Sequence, residues 1–416
     1  MNSPGSAIRE DMSSGDRPAT PSLRYPQSVR PDLLTALGTK KTRTDEDGVS
    51  PALVLARFRR MKQSARILIL LWIPVFYVLG QLSLFVWMDD NWELERTISE
   101  RQKLKILHDR LAEMPDRPLV LMLGSSRIDQ AFQSGRLCGE PGPDGRPLLA
   151  FNLGVPTVGG MHEMMYLHDL LAEGVRPRLV LVEFVSTHLV RSMRGLQSEE
   201  HFTVPAWIGF HQLYFMQRYF TNRRRAWTEW FESRLTPWYG YRWWIHEHVQ
   251  GLHSLPEREF DQSRRPIDPF GWRLLRDLPN TPECQAVRWS FAYNMYAQTL
   301  KNFQFGTKPA QALFDLFDTC RRQKIPVALV LPPVSKKFRD LFCPEGQAEI
   351  DNFVAQLKIR YNLDIIDATD WLDFDDFDDG HHALISGADK FTTRLVPEIH
   401  KLLARTEPEQ QKQSKP

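Results

Sequence analysis

Closely spaced cysteines are missing from this chain. Cys138, Cys284, Cys320 and Cys343 are scattered, with no CxxC and no Cys/His cluster, which excludes a zinc site of the usual spacing. Export would permit a disulfide, but spacing assigns no pairing, and a domain this large has core enough to fold without one. An excess of one charge is missing too. Lys and Arg number 53 against 51 Asp and Glu, a net charge of +2. That balance provides no field for nucleic acid, so no nucleic-acid partner is expected. The chain has no internal repeat, and its one acidic run lacks the EF-hand pattern, so neither metal nor cofactor is expected. What is present is an ordinary globular composition, 42% hydrophobic and 25% charged. Its 416 residues suffice for a tail, an anchor and one large domain.

Residues 1–56 are rich in Ser, Pro, Gly, Asp and Arg. They cannot bury enough apolar surface to offset ordering entropy, and read as a disordered cytoplasmic tail. A basic juxtamembrane segment follows over 57–66, and then Ile67–Met88 runs without a charge. As a helix that run spans about 33 Å, enough for the hydrocarbon core of a bilayer. Pro74, Gly80 and Gln81 are tolerable there, and Trp87 suits an interface. The far flank is acidic, with Asp89, Asp90 and Glu93. Positive residues stay inside, so the expected topology is a single pass in the inner (cytoplasmic) membrane, with a cytoplasmic N-terminus and a periplasmic C-terminal domain. A cleaved signal peptide fits less well, because the apolar run is too long and starts too late.

Residues 89–117 read as a helical connector. Beyond it, five short apolar runs read as buried strands: Pro118–Leu123, Leu149–Leu153, Arg178–Phe184, Pro326–Leu331 and Leu363–Ile366. Helical periodicity covers Met161–Glu173, Ala310–Gln323, Ala348–Tyr361 and Ala388–Leu403. Such alternation predicts an α/β domain over 118–189 and 307–405, with a five-stranded parallel sheet covered by helices on both faces, a three-layer α/β/α arrangement. Residues 190–306 break the rhythm. They hold Trp207, Trp227, Trp230, Trp238, Trp243, Trp244, Trp272 and Trp289 with the basic cluster Arg223–Arg225, and read as a mostly helical insertion. Packing into its own core is the plain reading of those aromatics; contact with the outer leaflet or a glycan is the functional one. Residues 406–416 read as a disordered tail.

Two segments could carry chemistry. In Leu119–Phe132 a buried strand gives way to Gly124, Ser125 and Ser126 before a helix. A serine there stands at the C-terminal edge of a parallel sheet, where α/β proteins build sites, and near helical N–H groups that favour negative charge. Helix capping alone would also explain a serine at this place. Late in the chain, Asp379 and His382 sit three apart in a short loop before a helix. A carboxylate at that spacing can hold an imidazole in one tautomer and stabilise its cation. A solvated acidic loop is the alternative, since Asp373, Asp375, Asp376 and Asp378 precede.

A Gly-x-Ser turn after the first strand with a late Asp-x-x-His before the last helix resembles the SGNH (GDSL-like) hydrolase superfamily. The Gly-Ser-Ser form is similar to its membrane-anchored, extracytoplasmic members, which include D-alanine transfer proteins of teichoic acid and polysaccharide O-acyltransfer proteins. The resemblance covers about Pro118 to Leu403 without the insertion, and implies an SGNH or flavodoxin-like fold. It implies Ser126 as nucleophile, with Ser125 in place of the usual aspartate. The late motif registers on Asp378 with His381 or on Asp379 with His382; the family places a glycine five residues after the histidine, and Gly387 favours the second. Phe151–Pro156 resembles the second block, which implies backbone N–H groups of Ser126 and Gly154 as oxyanion donors. Val327–Ser335 looks like the strand and loop before the last helices. The third-block asparagine is absent, because the third strand runs into Val185-Ser186-Thr187-His188, so Ser186 or Thr187 would have to substitute. Glu183 and His188 lie close by in sequence. The implied function is a serine O-acyltransferase or esterase on acyl esters of envelope glycans, with a membrane-bound O-acyltransferase as partner. An inactive protein of the same fold that binds glycan or that partner is the alternative.

Overall fold

In a computed structural model, the structure describes residues 56, 59, 63–91, 95–191, 198–203, 205, 208–236, 265–273 and 281–413. Residues 1–55 of the tail expected over 1–56, half of the basic segment 57–66, and Trp207, Trp238, Trp243 and Trp244 lie outside the described residues.

The first long helix, α1, is Gln63–Asn91. Its stretch Gln63–Ser83 has mean hydropathy 1.8 and no buried share, which makes it long and apolar enough by length and composition to cross a membrane. Next comes α2, Glu95–Glu113. It was expected as a connector, but Ser99, Glu100, Lys103 and Leu107 on it are buried, so one side of the helix belongs to the folded domain.

The domain is α/β. Strands β1 (Leu119–Gly124), β2 (Leu149–Gly154), β3 (Leu179–Glu183), β4 (Val327–Leu331) and β5 (Asp364–Asp367) form one parallel sheet in the order β2-β1-β3-β4-β5. Each corresponds to one of the five apolar runs. Strands β1 to β3 are buried throughout, which is why they read as continuous apolar runs without alternation. Side chains alternate across the pleat, so Leu119, Leu121 and Leu123 enter one apolar cluster while Val120 and Met122 enter another.

Helices join the strands. They are α3 (Ser126–Ala131), α4 (Gly160–Ala172), α5 (Phe210–Met216), α6 (Arg223–Leu235), α7 (Pro282–Lys301), α8 (Thr307–Gln323), α9 (Pro344–Tyr361) and α10 (Ile385–Gln413). The first cluster draws on α2, α4, α8 and α9 through Leu107, Leu167, Leu316 and Leu357. The second draws on α3 and α10 through Ile128, Phe391, Leu395 and Ile399. The described parts of the insertion include α5, α6 and α7. Helix α10 continues to Gln413, past the domain end at 405 expected from sequence; Glu, Gln and Lys in that stretch are good helix formers.

The strand order matters for position. From β1 the chain goes to β2 on one side and to β3 on the other, so the carboxyl ends of β1 and β3 flank a switch point, the place where open α/β sheets form crevices.

Candidate active site

Ser126 opens α3 directly after β1. Ser125 is the N-cap: its Oγ accepts from the Arg127 N–H, which satisfies one of the free donors of the first turn. The cap role therefore belongs to Ser125 and leaves the Ser126 hydroxyl for other work. Buried Glu183, at the end of β3, accepts from the Ser125 N–H at 2.5 Å and from its Oγ at 3.1 Å. A Cβ on Gly124 would stand 2.6 Å from Glu183 Oε2, so only glycine lets that carboxylate reach the turn. Glu183 is a positioning group for the Ser126 turn. Burial raises its pKa, against the pull of Arg127 and the Ser125 hydrogen bonds.

The second half of the site is the loop between β5 and α10. Gly380 takes φ +92°, and its carbonyl accepts from the Ser335 N–H at 2.9 Å. The Asp378 N–H donates to the His382 carbonyl at 2.8 Å, closing a tight loop. A Cβ on Gly387 would meet the Asp376 carbonyl at 2.5 Å. The glycine five residues after His382 thus has a packing reason, because α10 must start against the loop's own backbone.

These segments bring Ser126, His382 and Asp379 into one hydrogen-bonded line. Ser126 Oγ and His382 Nε2 are 2.8 Å apart, and His382 Nδ1 and Asp379 Oδ2 are 2.8 Å apart. Asp379 Oδ1 also accepts from the His382 N–H at 2.9 Å and the His381 N–H at 3.2 Å. Burial alone would raise Asp379, but the imidazoles of His381 and His382 and the His382 hydrogen bonds outweigh it and hold the carboxyl well below its ordinary range. An ionised Asp379 places the proton on His382 Nδ1 and leaves Nε2 as an acceptor for the serine hydroxyl. The arrangement can abstract a proton from Ser126 and stabilise the imidazolium that results.

The other register is not assembled. Asp378 turns to an ion pair with Arg288 of α7, whose Nε also donates to the Asp378 carbonyl at 3.1 Å. His381 is buried, with Phe338 at 4.6 Å and Tyr296 at 5.2 Å between ring centroids. Burial pushes its pKa well down, against the pull of Asp379.

The expected oxyanion residues fare differently. Among the described residues no partner takes the Ser126 N–H. The Gly154 N–H does not present a free donor, because it is donated to Asn152 Oδ1 at 2.8 Å. Asn152 is held in turn, its amide donating to the carbonyls of Ile128 and Phe132 at 2.8 Å each. Ser186 and Thr187 begin a short turn after β3. Thr187 is buried and its Oγ1 lies 3.5 Å from Arg127 Nη2, a long contact.

Sequence reasoning missed two parts. Asp129, three residues past Ser126, is fully buried between Lys103 of α2 and Arg273 of the insertion, at 2.5 Å from each. No spacing in the sequence connects these three positions. The last insertion helix, α7, also walls the histidine loop, with Trp289 packed where a Cβ on Gly380 would stand. The clustering of tryptophans was a signal for packing there, though not for packing beside the site.

Two groups among the described residues have ligand atoms close enough to hold a metal: Asp379 with His381 and His382, and His168 with Asp169 and His211. In the first, a metal on His382 would have to displace either Ser126 or Asp379 from the imidazole. Compared with known proteins, the chain matches no family model and no curated protein.

Proposed function

We propose that the chain is a membrane-anchored serine acyltransferase or esterase of SGNH-like, three-layer α/β/α architecture, which works on acyl esters of envelope glycans outside the cytoplasm. The observation that carries this reading is the line from Ser126 through His382 to Asp379, standing at the switch point of a parallel sheet. In the reaction Ser126 Oγ attacks the acyl carbonyl as its proton passes to His382 Nε2. Asp379 stabilises the imidazolium. His382 then returns the proton to the departing alcohol or thiol, leaving an acyl-serine ester. A glycan hydroxyl attacks that ester as His382 takes its proton, and His382 passes the proton to Ser126 Oγ as the acyl C–O bond to the serine breaks; water in place of the glycan gives hydrolysis. A membrane-bound O-acyltransferase that delivers acyl groups is the partner the resemblance suggests.

One observation favours a second reading, an inactive protein of the same fold that binds glycan or that partner. The Gly154 N–H is engaged by Asn152, and the third-block asparagine is absent. A missing donor costs on the order of 3 kcal/mol of transition-state stabilisation, which a slow transferase tolerates better than a fast hydrolase.

The purified full chain in detergent, offered a fluorophosphonate probe and a fluorogenic acetyl ester, separates the two. The first reading expects labelling and turnover that vanish in Ser126→Ala. It also expects kcat reduced about 10³- to 10⁴-fold in Asp379→Asn, which leaves the imidazole in the wrong tautomer. Labelling that persists in Ser126→Ala removes that serine from the mechanism. An unlabelled, inactive wild-type chain that still retains glycan hands the case to the second reading.

A further inference from the structure

Helices α5 and α6 carry an aromatic face that nothing in the described fold covers. Phe210, Tyr214, Phe231 and Leu235 are 58%, 60%, 53% and 71% exposed. Their rings are continuous with the half-buried Trp227 and Trp230: Phe210 lies 5.8 Å from each indole, and Phe231 lies 5.9 Å from Trp227 and 5.2 Å from Trp230. Both indole N–H groups are satisfied inside the fold, Trp227 on Gln217 Oε1 at 3.1 Å and Trp230 on the Ile208 carbonyl at 3.0 Å. What remains outward is apolar ring surface, in a patch of a kind that soluble monomers seldom leave open. Exposed Arg223 and Arg224 stand beside it at the start of α6.

The place of this face along the chain says what meets it. Gln212 of α5 donates to Glu100 of α2 at 3.0 Å. Between the end of α1 at Asn91 and the start of α2 at Glu95 the chain can extend about 14 Å, and α2 rises about 8 Å from Glu95 to Glu100. With about 12 Å more for the Glu100 and Gln212 side chains and the bond between them, the Gln212 end of the aromatic face is tethered within roughly 35 Å of the end of α1. If α1 spans a bilayer, the lipid surface is the one large amphipathic phase held permanently within that reach. Aromatic rings over an apolar zone with arginines at the edge are the composition that partitions into a headgroup layer, with anionic lipid favoured by the arginines.

We propose that the aromatic face of α5 and α6 beds into the outer-leaflet headgroup zone beside the anchor. It would then hold the Ser126 site at a fixed height over the membrane, where a lipid-borne or membrane-delivered acyl donor arrives. This inference rests on reading α1 as a span.

The test uses the full chain in nanodiscs of phosphatidylethanolamine and phosphatidylglycerol, a trace of which carries an alkyne. A benzophenone amino acid replaces Phe231, and in separate preparations Leu79 of α1 and Ile359, which is 84% exposed at the end of α9. After irradiation, lipid adducts are read by click labelling and mass spectrometry. The proposal expects adducts at Leu79, and at Phe231 a yield about tenfold above that at Ile359. Adducts at Leu79 with none above the Ile359 level at Phe231 overturn the aromatic docking and leave the anchor standing. Absence of lipid adducts at both Leu79 and Phe231 overturns the anchor, and the inference falls with it. A protein adduct in place of lipid at Phe231 assigns the face to a protein partner and also overturns the proposal.

Discussion

Glu163, in the first turn of α4, is fully buried, and among the described residues neither carboxylate oxygen has a hydrogen-bond partner. Burial pushes its pKa well above the ordinary carboxylate value, and the nearby Glu183 and Glu199 add to the rise. The folded chain thus keeps a proton that the unfolded chain releases above its ordinary pKa. Stability from this group is full at acid pH and is lost as pH rises toward the folded value. Glu163→Gln removes that loss. Thermal unfolding across a pH series should show the variant gaining on wild type from pH 5 to pH 8; a constant difference would mean that Glu163 is not held neutral. Glu199 shows the contrast. Burial would raise it, but hydrogen bonds from His162 Nδ1 at 2.8 Å and from the N–H groups of Gly159, Met161 and His162 keep it low. His188, pushed by burial down to about 4, stays neutral at pH 7. In the acidic run before α10, three carboxylates take different partners: Asp376 pairs with Lys390, Asp378 with Arg288, and Asp379 with His382. Gly387 made the Asp379 register legible. The loss of the Gly154 donor was not legible, because the Asn152 side chain that takes it sits two residues away in a strand that reads as plain core.

At the scale of elements, α3 carries the candidate nucleophile and is too short to hold itself in place. Asp129 fastens it. Its carboxylate meets Lys103 and Arg273, all three side chains fully buried, and Arg273 also reaches Ser99 Oγ at 2.9 Å. Burial lowers Lys103 to about 8, against the pull of Asp129. Removing the acid strands two buried cations, so Asp129→Ala is expected to cost about 3–5 kcal/mol in denaturant melts. The combined Asp129→Leu, Lys103→Met and Arg273→Met variant should recover most of that loss, since apolar packing replaces buried ion pairs at little cost. A cost below about 1 kcal/mol in Asp129→Ala would show that the buckle is not needed. The strands themselves were legible because β1, β2 and β3 are buried on both faces. The role of α2 was not, since a charged helix with Lys103 inward looks like a solvated connector until its partner is placed.

For the whole molecule the question is attachment. No charge falls between Ile67 and Ser83 and the stretch is unburied, and a soluble helix usually keeps a polar face. The full chain should remain in the membrane pellet through alkaline carbonate washing, and a chain beginning at residue 92 should leave it. Release of the full chain by carbonate would end the reading of α1 as a span. Parallel strands with their carboxyl ends together bring the serine after β1 and the histidine after β5 to the same edge, although they are 256 positions apart.

Sequence alone determined the features set by local composition and period: the apolar helix, the five strand runs, the glycine-serine turn and the Asp-x-x-His loop. These follow from short-range physics, burial periodicity and backbone freedom. Only the tertiary structure decided that Asp378 turns away to Arg288, that Asn152 engages the Gly154 N–H, and that Lys103 and Arg273 close on Asp129. Each of those depends on the direction of a side chain toward a partner distant in the chain, which only packing sets.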